Sequence, residues 1–264
     1  WKSVKGFSFM DKEVLERFRY FLKDHIRKRV DFSETPQNRG LAPPSIQKPC
    51  RADATTVSLP KPELWDHVGG IDLVTAIEKR RSRRTFNKTP LSVEELAFLL
   101  WATQGIRGSP HGGHAYRTVP SAGCRHAFET YLAVLNIDTL SRGMYRYLPL
   151  SHQLVCEFTD EMLPKKLVQA ALGQPYPGRA AVTFIWTTIP YRMEWRYGLA
   201  AHKVIALDAG HVCQNLYLAC EAIGAGTCAL GAYDQQGLDD LLGVDGEEEF
   251  AIYLAPVGKI NSPR

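Results

Sequence analysis

The feature that most constrains the fold of this chain is a long apolar segment near its C-terminus. The stretch VIALDAGHVCQNLYLACEAIG, residues 204–224, has the pattern of an amphipathic to fully buried helix, which Gly224 and Gly226 would end. Such a helix has to be covered by other layers of the protein. We interpret Asp208 and His211 within it as satisfied core or helix-start groups. The chain of 264 residues is long enough to supply a sizeable core.

The segments around this helix are a mixture of helical and strand-like patterns. Ser92 and Glu95 form a capping box ahead of an apolar helical run, and Pro164 fits the first turn of another helix. Strand patterns occur in TYLAVLNI, GMYRYLP, QLVCEF, AVTFIWTTI and EFAIYLAPVG, and GMYRYLPLSHQL is typical of a hairpin. Because these elements do not alternate as βαβ units, we predict an α+β domain.

The N-terminal quarter of the chain has a different pattern from the rest. DKEVLERFRYFLKDHIRKR has the apolar spacing of an amphipathic helix, and DFSETPQNRGLAPPSIQKP is proline-rich and has no period. We therefore predict two regions. Residues 1–70 form a helix plus an extended proline-rich arm that wraps the domain, and residues 71–264 form the domain itself.

Charge, hydropathy and cysteine usage argue against several classes of protein. Lysine and arginine exceed aspartate and glutamate by 32 − 28 = 4, so we expect no nucleic-acid partner. No segment is long and apolar enough to suggest a membrane partner. The motif HGGH, with His111 and His114, has no acidic or cysteine neighbours, so we expect no metal site. The six cysteines contain no CxxC pair, which favours a reduced, cytoplasmic setting.

The sequence RRSRRTF, residues 80–86, concentrates four arginines in seven positions, and we call it the arginine run. From the residues alone it could be a solvated surface, a nucleic-acid patch or a pocket for a doubly negative group. Arg80 and Arg84 are four residues apart, so at a helix end they would point the same way, with the Ser82 hydroxyl between them. Two guanidinium forks and a hydroxyl suit a phosphate monoester.

Five segments follow one another within residues 71–259: IEKRRSRRTF, LLWATQGI, RTVPSAG, LDAGHVCQNLYLACEAIGAGTCALGAYD and EFAIYLAPVGK. Together they resemble the nitroreductase family of flavoproteins, in particular the SagB-type dehydrogenases linked to thiazole- and oxazole-containing peptides. The resemblance implies an α+β nitroreductase-like fold with a central mixed, mainly antiparallel sheet flanked by helices. It also implies an intertwined homodimer with the long helix at its interface, and two FMN sites built from both chains.

The resemblance implies roles for individual residues. Arg80, Ser82 and Arg84, with Arg81 beside them, match residues that hold the phosphate, ribityl chain and ring edge of FMN. Residues 120–123, which we call the PSAG loop, match a loop presented to the flavin of the partner subunit. Small residues in such a loop let the backbone approach the flavin plane closely.

The remaining cofactor contacts lie further along the chain. Gln174 matches an amide on the pyrimidine edge, Gly231 and Ala232 match backbone near flavin N5, and Lys259 matches a cation that helps to fix the phosphate. The predicted cofactor-binding residues are Arg80, Arg81, Ser82, Arg84, Pro120, Ser121, Ala122, Gly123, Gln174, Gly231, Ala232 and Lys259.

One departure from the family pattern affects the expected chemistry. Azoline-forming relatives usually carry a Lys-Tyr pair for acid–base chemistry, and here the pair is Arg196-Tyr197. Tyr197 remains the predicted catalytic acid or base, whereas an arginine keeps its proton. The resemblance implies hydride transfer through FMN, by a SagB-type dehydrogenase of a peptide azoline or by an NAD(P)H-dependent reductase of a small nitro or quinone compound. The alternative is a non-catalytic flavin-binding subunit of a biosynthetic complex.

Overall fold

The computed structural model describes residues 12–65 and 68–261 and has a seven-stranded sheet at its centre. The strands are β1 (Thr56–Ser58), β2 (Ile106–His111), β3 (His114–Arg117), β4 (Phe128–Val134), β5 (Gly143–Leu148), β6 (Gln153–Thr159), β7 (Val182–Thr188), β8 (Ala225–Thr227) and β9 (Phe250–Lys259). The sheet has the order β1-β6-β5-β4-β7-β9-β8, with every neighbouring pair antiparallel, and β2 and β3 form a separate hairpin. The predicted hairpin GMYRYLPLSHQL is the β5–β6 connection.

The described α-helices follow the apolar patterns of the sequence. They are α1 (Lys12–Leu22), α2 (Leu73–Lys79), α3 (Val93–Gln104), α4 (Leu163–Ala170), α5 (Tyr191–Tyr197), α6 (Ala201–Ala222) and α7 (Gln235–Leu242). The capping box of α3 is confirmed, since the Glu95 amide donates to Ser92 Oγ at 3.1 Å and the Ser92 amide donates to Glu95 Oε2 at 3.0 Å. Helix α6 ends just before Gly224, whose φ is +63°. Among the described helices, α6 included, none has both the length and the apolar surface of a membrane span.

The sheet is covered by helices on both faces. Every residue of β4 and β7 is buried. Alternate side chains point to opposite faces, so that Leu132 and Phe184 join one apolar cluster with α3 and α6, while Tyr131 and Ile185 join another with α4 and α7. This arrangement confirms the predicted α+β fold. Parallel pairing is confined to isolated bridges, such as Ser82 with Thr227.

The sheet begins earlier in the chain than the predicted division at residue 70. Strand β1 pairs with β6 at the edge of the sheet, and Leu59 directly after it is buried. The Trp65 ring packs edge-to-face on Phe98 and Trp101 of α3. Residues 56–65 therefore contribute to the same core as the rest of the domain.

The proline-rich stretch before β1 runs over the domain and is fixed by hydrogen bonds. The Gln37 amide donates to Trp195 O at 2.9 Å, and Arg117 Nη2 donates to Ile46 O at 3.0 Å. We call residues 31–49 the arm. Helix α1 precedes it and ends at Leu22, and a 3-10 turn at Asp24–Arg29 follows.

A cluster of buried charges ties the arm to the sheet. Glu129 on β4 accepts a hydrogen bond from Arg192 Nη2 at 2.5 Å and lies 3.6 Å from Arg146 Nη1. The arm completes the cluster, since the Lys48 amide donates to Glu129 and Arg146 donates to the carbonyls of Lys48 and Pro49 at 2.9 and 3.1 Å. Buried charges persist only when they are paired and hydrogen-bonded. The buried cluster therefore needs the hydrogen bonds that the arm provides.

We expect Glu129→Ala to destabilise the protein by about 3–5 kcal/mol, because it leaves Arg192 buried without a carboxylate partner, whereas Arg146 keeps Glu157 at 2.8 Å. The free energy of unfolding from urea titrations measures the effect. Glu161→Ala is the control, since the Glu161 carboxylate is 84% exposed on Arg142 and its loss should cost less than about 1 kcal/mol. Equal losses in the two variants would contradict this account of the cluster.

Candidate functional site

The arginine run lies along the edge of the sheet, next to β8. Helix α2 ends at Lys79, and the chain continues as an extended segment in which Ser82 bridges Thr227 and the Arg83 amide donates to Thr227 O at 2.8 Å. Arg83 points inward over Gly226, where a Cβ atom would meet Arg83 Cγ at 2.5 Å. Glycine at position 226 is therefore needed for the run to approach β8.

The extended backbone changes the reason why the predicted residues lie together. We expected Arg80 and Arg84 to share a face through helical spacing, and this geometry is wrong because α2 ends before the run. Alternate residues of an extended segment share a face, which groups Arg80, Ser82 and Arg84 and separates them from Arg83. Arg81 is exposed.

Tyr217 on α6 organises the first part of this face. Its hydroxyl lies 3.1 Å from Ser82 Oγ and accepts a hydrogen bond from the Ala229 amide at 2.9 Å. The Arg80 guanidinium lies over the Tyr217 ring, 5.5 Å from its centre, in range of a cation–π contact. A single tyrosine thus joins the run to the loop that follows β8.

A second chain of contacts starts at Arg84. Its guanidinium lies 6.0 Å from the centre of the Tyr176 ring, and burial raises the pKa of Tyr176. The Tyr176 hydroxyl donates to Gln174 Oε1 at 2.9 Å, and Gln174 Nε2 donates to Ala232 O at 2.9 Å. The structure thus brings Arg84, Gln174 and Ala232 together, with Gly231 beside them in a loop where no atom lies within 4 Å of an added Cβ.

The charge of this cluster is not balanced within the described chain. No carboxylate oxygen of the described residues lies within 4.0 Å of the arginines at 80, 81, 83 and 84. Lys259 differs from them, because its ammonium pairs with Glu95 and donates to Ile223 O at 2.6 Å at the end of α6. The structure therefore places the Lys259 charge in an internal ion pair rather than among the free cations.

The PSAG loop packs against the start of α6 and the end of α5. The Ala122 amide donates to Asp208 Oδ2 at 3.2 Å, and Pro120 at the start of the loop is exposed. Gly123 has a φ of +56°, and a Cβ there would lie 2.6 Å from the Tyr197 hydroxyl and 2.7 Å from Arg196 Nε. The PSAG loop thus packs directly on Tyr197 and Arg196, and this close packing requires glycine at position 123.

The groups behind this loop are held in neutral forms. Ser121 Oγ accepts from the His126 amide at 3.0 Å. Burial, and after it the charges of Arg117 and Arg125, lowers the pKa of His126 to about 3. Cys124 Sγ lies 3.7 Å from His126 Nε2, and burial raises the pKa of this thiol. The pair is therefore a neutral packing contact at neutral pH.

The two parts of the predicted site lie on opposite sides of α6 in one chain. Asp208, which holds the PSAG loop, and Tyr217, which holds the arginine run, are nine residues apart on this helix. At 100° and 1.5 Å per residue they face opposite directions and are separated by about 14 Å along the axis. One chain therefore does not bring the PSAG loop onto the face of Arg80, Ser82 and Arg84.

Three residues that organise the site were not among its predicted members. The signal that could have identified Tyr217 and Tyr176 is their hydroxyl group, because a tyrosine hydroxyl needs a hydrogen-bond partner when it is buried. Asp208 is satisfied, as expected, and its partner is the PSAG loop. The motif HGGH forms the β2–β3 turn, and no set of metal-ligating side chains occurs in the described part of the chain.

Comparisons with known proteins identify the family. The sequence model of the nitroreductase family matches residues 77–259. A Methanocaldococcus jannaschii protein named as a candidate nitroreductase is 31% identical over 189 residues, which are 72% of this chain and 91% of that protein. The crystal structure of a candidate nitroreductase from Ralstonia eutropha matches 84% of this chain and 96% of its own at 26% identity and a TM-score of 0.65. The chain belongs to the nitroreductase family of oxidoreductases.

A third match shares the fold at lower identity. It is a chain of the Escherichia coli microcin synthetase McbBCD complex with truncated pro-MccB17 bound, at 20% identity and a TM-score of 0.58. The match covers 98% of this chain and all of that chain, so the shared fold extends beyond residues 77–259 and includes the arm.

We expect the stability of the protein to fall as the pH is lowered from 6.5 towards 3. Folding lowers the pKa of His126 from its ordinary value of 6.5 to about 3. The unfolded chain therefore binds more protons than the folded protein between these two pH values. The free energy of unfolding falls by roughly 1.4 kcal/mol per pH unit where the dependence is steepest. The full contribution of His126 to stability is present above pH 6.5.

The variant His126→Asn tests this expectation, because asparagine tolerates the left-handed φ of +48° at this position and does not titrate. Urea titrations between pH 4 and 7 should show a shallower pH dependence than the wild type. His111→Asn, at an exposed histidine, is the control and should leave the slope unchanged. A wild-type slope in His126→Asn would be inconsistent with a buried neutral histidine.

Proposed function

We propose that this protein is an FMN-dependent oxidoreductase that acts as a homodimer on a small-molecule substrate. The observation that carries the proposal is the set of unpaired guanidiniums on the face of Arg80, Ser82 and Arg84. A solvated surface would not require Tyr217 and Tyr176 to hold these cations against the loop 229–232. A doubly negative phosphate monoester satisfies the cluster.

The residues present fit FMN. Arg80 and Arg84 would bind the phosphate oxygens through their forks, and Ser82 would donate its hydroxyl. The open space at Gly231 lets backbone approach a planar ring, and the Gln174 side chain lies within hydrogen-bonding distance of Ala232 in the same loop. Bound FMN supplies reversible hydride transfer at N5, which no amino-acid side chain provides.

A second copy of the chain would complete the site. Since α6 separates the PSAG loop from the arginine face within one chain, the loop can reach a flavin only in a partner subunit. The solvent-facing sides of α2 and α6 support such an interface, because the large apolar residues Leu73, Val74, Ile77 and Leu207 on them are more than half exposed. Exposed apolar patches of this kind mark association surfaces.

Tyr197 is the proposed proton donor or acceptor. Its hydroxyl lies against the backbone of the PSAG loop at Gly123, on the surface that would face the flavin of the partner subunit. General acid–base catalysis needs a group within hydrogen-bond reach of the reacting atom, and Tyr197 meets this requirement better than Arg196, which stays protonated.

The position of Arg196 favours a reductase over an azoline dehydrogenase. Abstraction of a ring proton from an azoline needs a strong base, and an arginine at this place cannot provide one. A reductase that takes hydride from NAD(P)H and delivers it to a nitro or quinone compound needs only a proton donor. The SagB-type activity is the second candidate, which the fold match to the microcin synthetase chain over 98% of this chain supports.

We expect the purified protein to contain FMN, and Arg84→Ala or Ser82→Ala to lower the FMN content while the fold persists. Each change removes a phosphate donor and should weaken FMN binding about tenfold or more. Flavin absorbance and circular dichroism give the occupancy and the fold. Arg51→Ala is the control, since the Arg51 side chain is 81% exposed beside Asp53. Undiminished flavin in both site variants would refute this use of the arginine run.

We expect Tyr197→Phe to keep its flavin and to lose turnover by about 10²-fold, the usual size of a general acid–base contribution. Anaerobic mixing with NADH or NADPH, followed through flavin bleaching, separates flavin reduction from the later transfer to a nitro or quinone acceptor. Bleaching in the wild type would also eliminate a passive flavin-binding subunit. A variant that turns over as fast as the wild type would remove Tyr197 from the mechanism.

A further inference from the structure

Arg196 presents an uncompensated positive charge beside the PSAG loop. Its side chain is half-buried, its Nη1 donates to Gln37 Oε1 at 3.2 Å, and its Nε lies next to the backbone of Gly123. Within the described chain no carboxylate oxygen comes within 4.0 Å of its guanidinium. A half-buried charge without a counter-ion is costly unless a ligand provides one.

The surroundings of Arg196 add to this positive charge. Arg125 is buried, and its guanidinium lies 4.7 Å from the centre of the Trp195 ring. It donates only to the backbone carbonyls of Arg192 and Gly113. Burial, and after it the charge of Arg196, lowers the pKa of Arg125. The two guanidiniums therefore repel each other across this surface.

The nearby carboxylates are already engaged. Asp208 accepts from the backbone of the PSAG loop, and Glu194, two residues before Arg196, pairs with His202 at 2.8 Å. Glu129 is shared by the arginines of the buried cluster. The excess of positive charge next to Tyr197 is therefore a property of the folded chain.

The arm holds Arg196 in place without neutralising it. The Gln37 amide donates to Trp195 O at 2.9 Å, and Trp195 Nε1 donates to Leu41 O at 3.1 Å, so the arm and α5 are fixed to each other. The neutral Gln37 side chain accepts a hydrogen bond from one nitrogen of Arg196 and leaves the positive charge of the guanidinium without a counter-ion.

We propose that Arg196 binds a carboxylate of the substrate and makes this site selective for anionic substrates over neutral ones of the same shape. The inference rests on the proposed function, since it places the substrate beside Tyr197 and the PSAG loop. A charge-assisted hydrogen bond at a half-buried site supports a preference of about 10- to 100-fold. A compound that carries both the reducible group and a carboxylate is the expected class of substrate.

The test compares 4-nitrobenzoate with 4-nitrobenzamide, which have nearly the same shape and differ in charge. We expect the FMN-loaded wild type to bind the benzoate at least about tenfold more tightly, measured by calorimetry on the oxidised protein, and to show the same ratio in kcat/KM. In Arg196→Gln the ratio should fall to about one, because binding of the benzoate weakens more than binding of the amide. Arg196→Lys, which retains a cation, should keep part of the preference.

A second variant tests the charge without removing the guanidinium. Gln37→Glu gives Arg196 a carboxylate within the chain, so it should abolish the preference while the contact to the arm is kept. Arg39→Gln, at an exposed arginine 3.9 Å from Glu34 in the same arm, removes one positive charge elsewhere and should leave the ratio at its wild-type value.

The result that overturns the inference is a wild-type ratio in FMN-loaded Arg196→Gln and Gln37→Glu, or a wild type that binds both compounds equally or binds neither. Such a result leaves the proposed function standing if the flavin is present and is bleached by NAD(P)H. Failure of the proposed function gives a different pattern, in which the wild type carries no flavin at all.

Discussion

The packing of α6 against the sheet is the constraint on which the rest of the structure depends. Its buried face joins β8, β9 and α3 in one apolar cluster, and the helix carries Asp208 in its first half and Tyr217 in its second half. Each of these polar groups fixes a different loop from an opposite side. The helix thereby determines where the PSAG loop and the arginine run lie, and it prevents a single chain from joining them. This separation is the physical reason why we propose that a second subunit completes the site.

The arm depends on a different interaction, the burial of charge. Arginines at 117 and 146 are almost fully buried, and carbonyl oxygens of the arm satisfy part of their hydrogen bonding. The same arm carries Gln37 to Arg196. An element that looks accessory in the sequence therefore contributes both to the stability of the domain and to the orientation of a charged group at the proposed substrate surface.

Several parts of the candidate site follow from local sequence, and others do not. The grouping of Arg80, Ser82 and Arg84 was predicted, but through a helix that ends too early, and an extended segment gives the same grouping by a period of two. Lys259 was predicted to help fix the phosphate, and in the structure its ammonium pairs with Glu95, 164 positions away. A sequence pattern gives the type of residue, whereas its partner depends on contacts between distant segments.

The sequence by itself determined the elements of this protein and their class. Apolar periodicity and the capping box predicted α3 and α6, and continuous apolar runs predicted the buried strands. The order of motifs indicated the nitroreductase family. Only the tertiary structure decided that Tyr217 holds Ser82 across 135 positions, that Asp208 holds the PSAG loop, and that Arg196 contacts the neutral Gln37 side chain. Periodicity is a property of neighbouring residues, but a hydrogen bond or an unpaired charge exists only once distant segments have packed together.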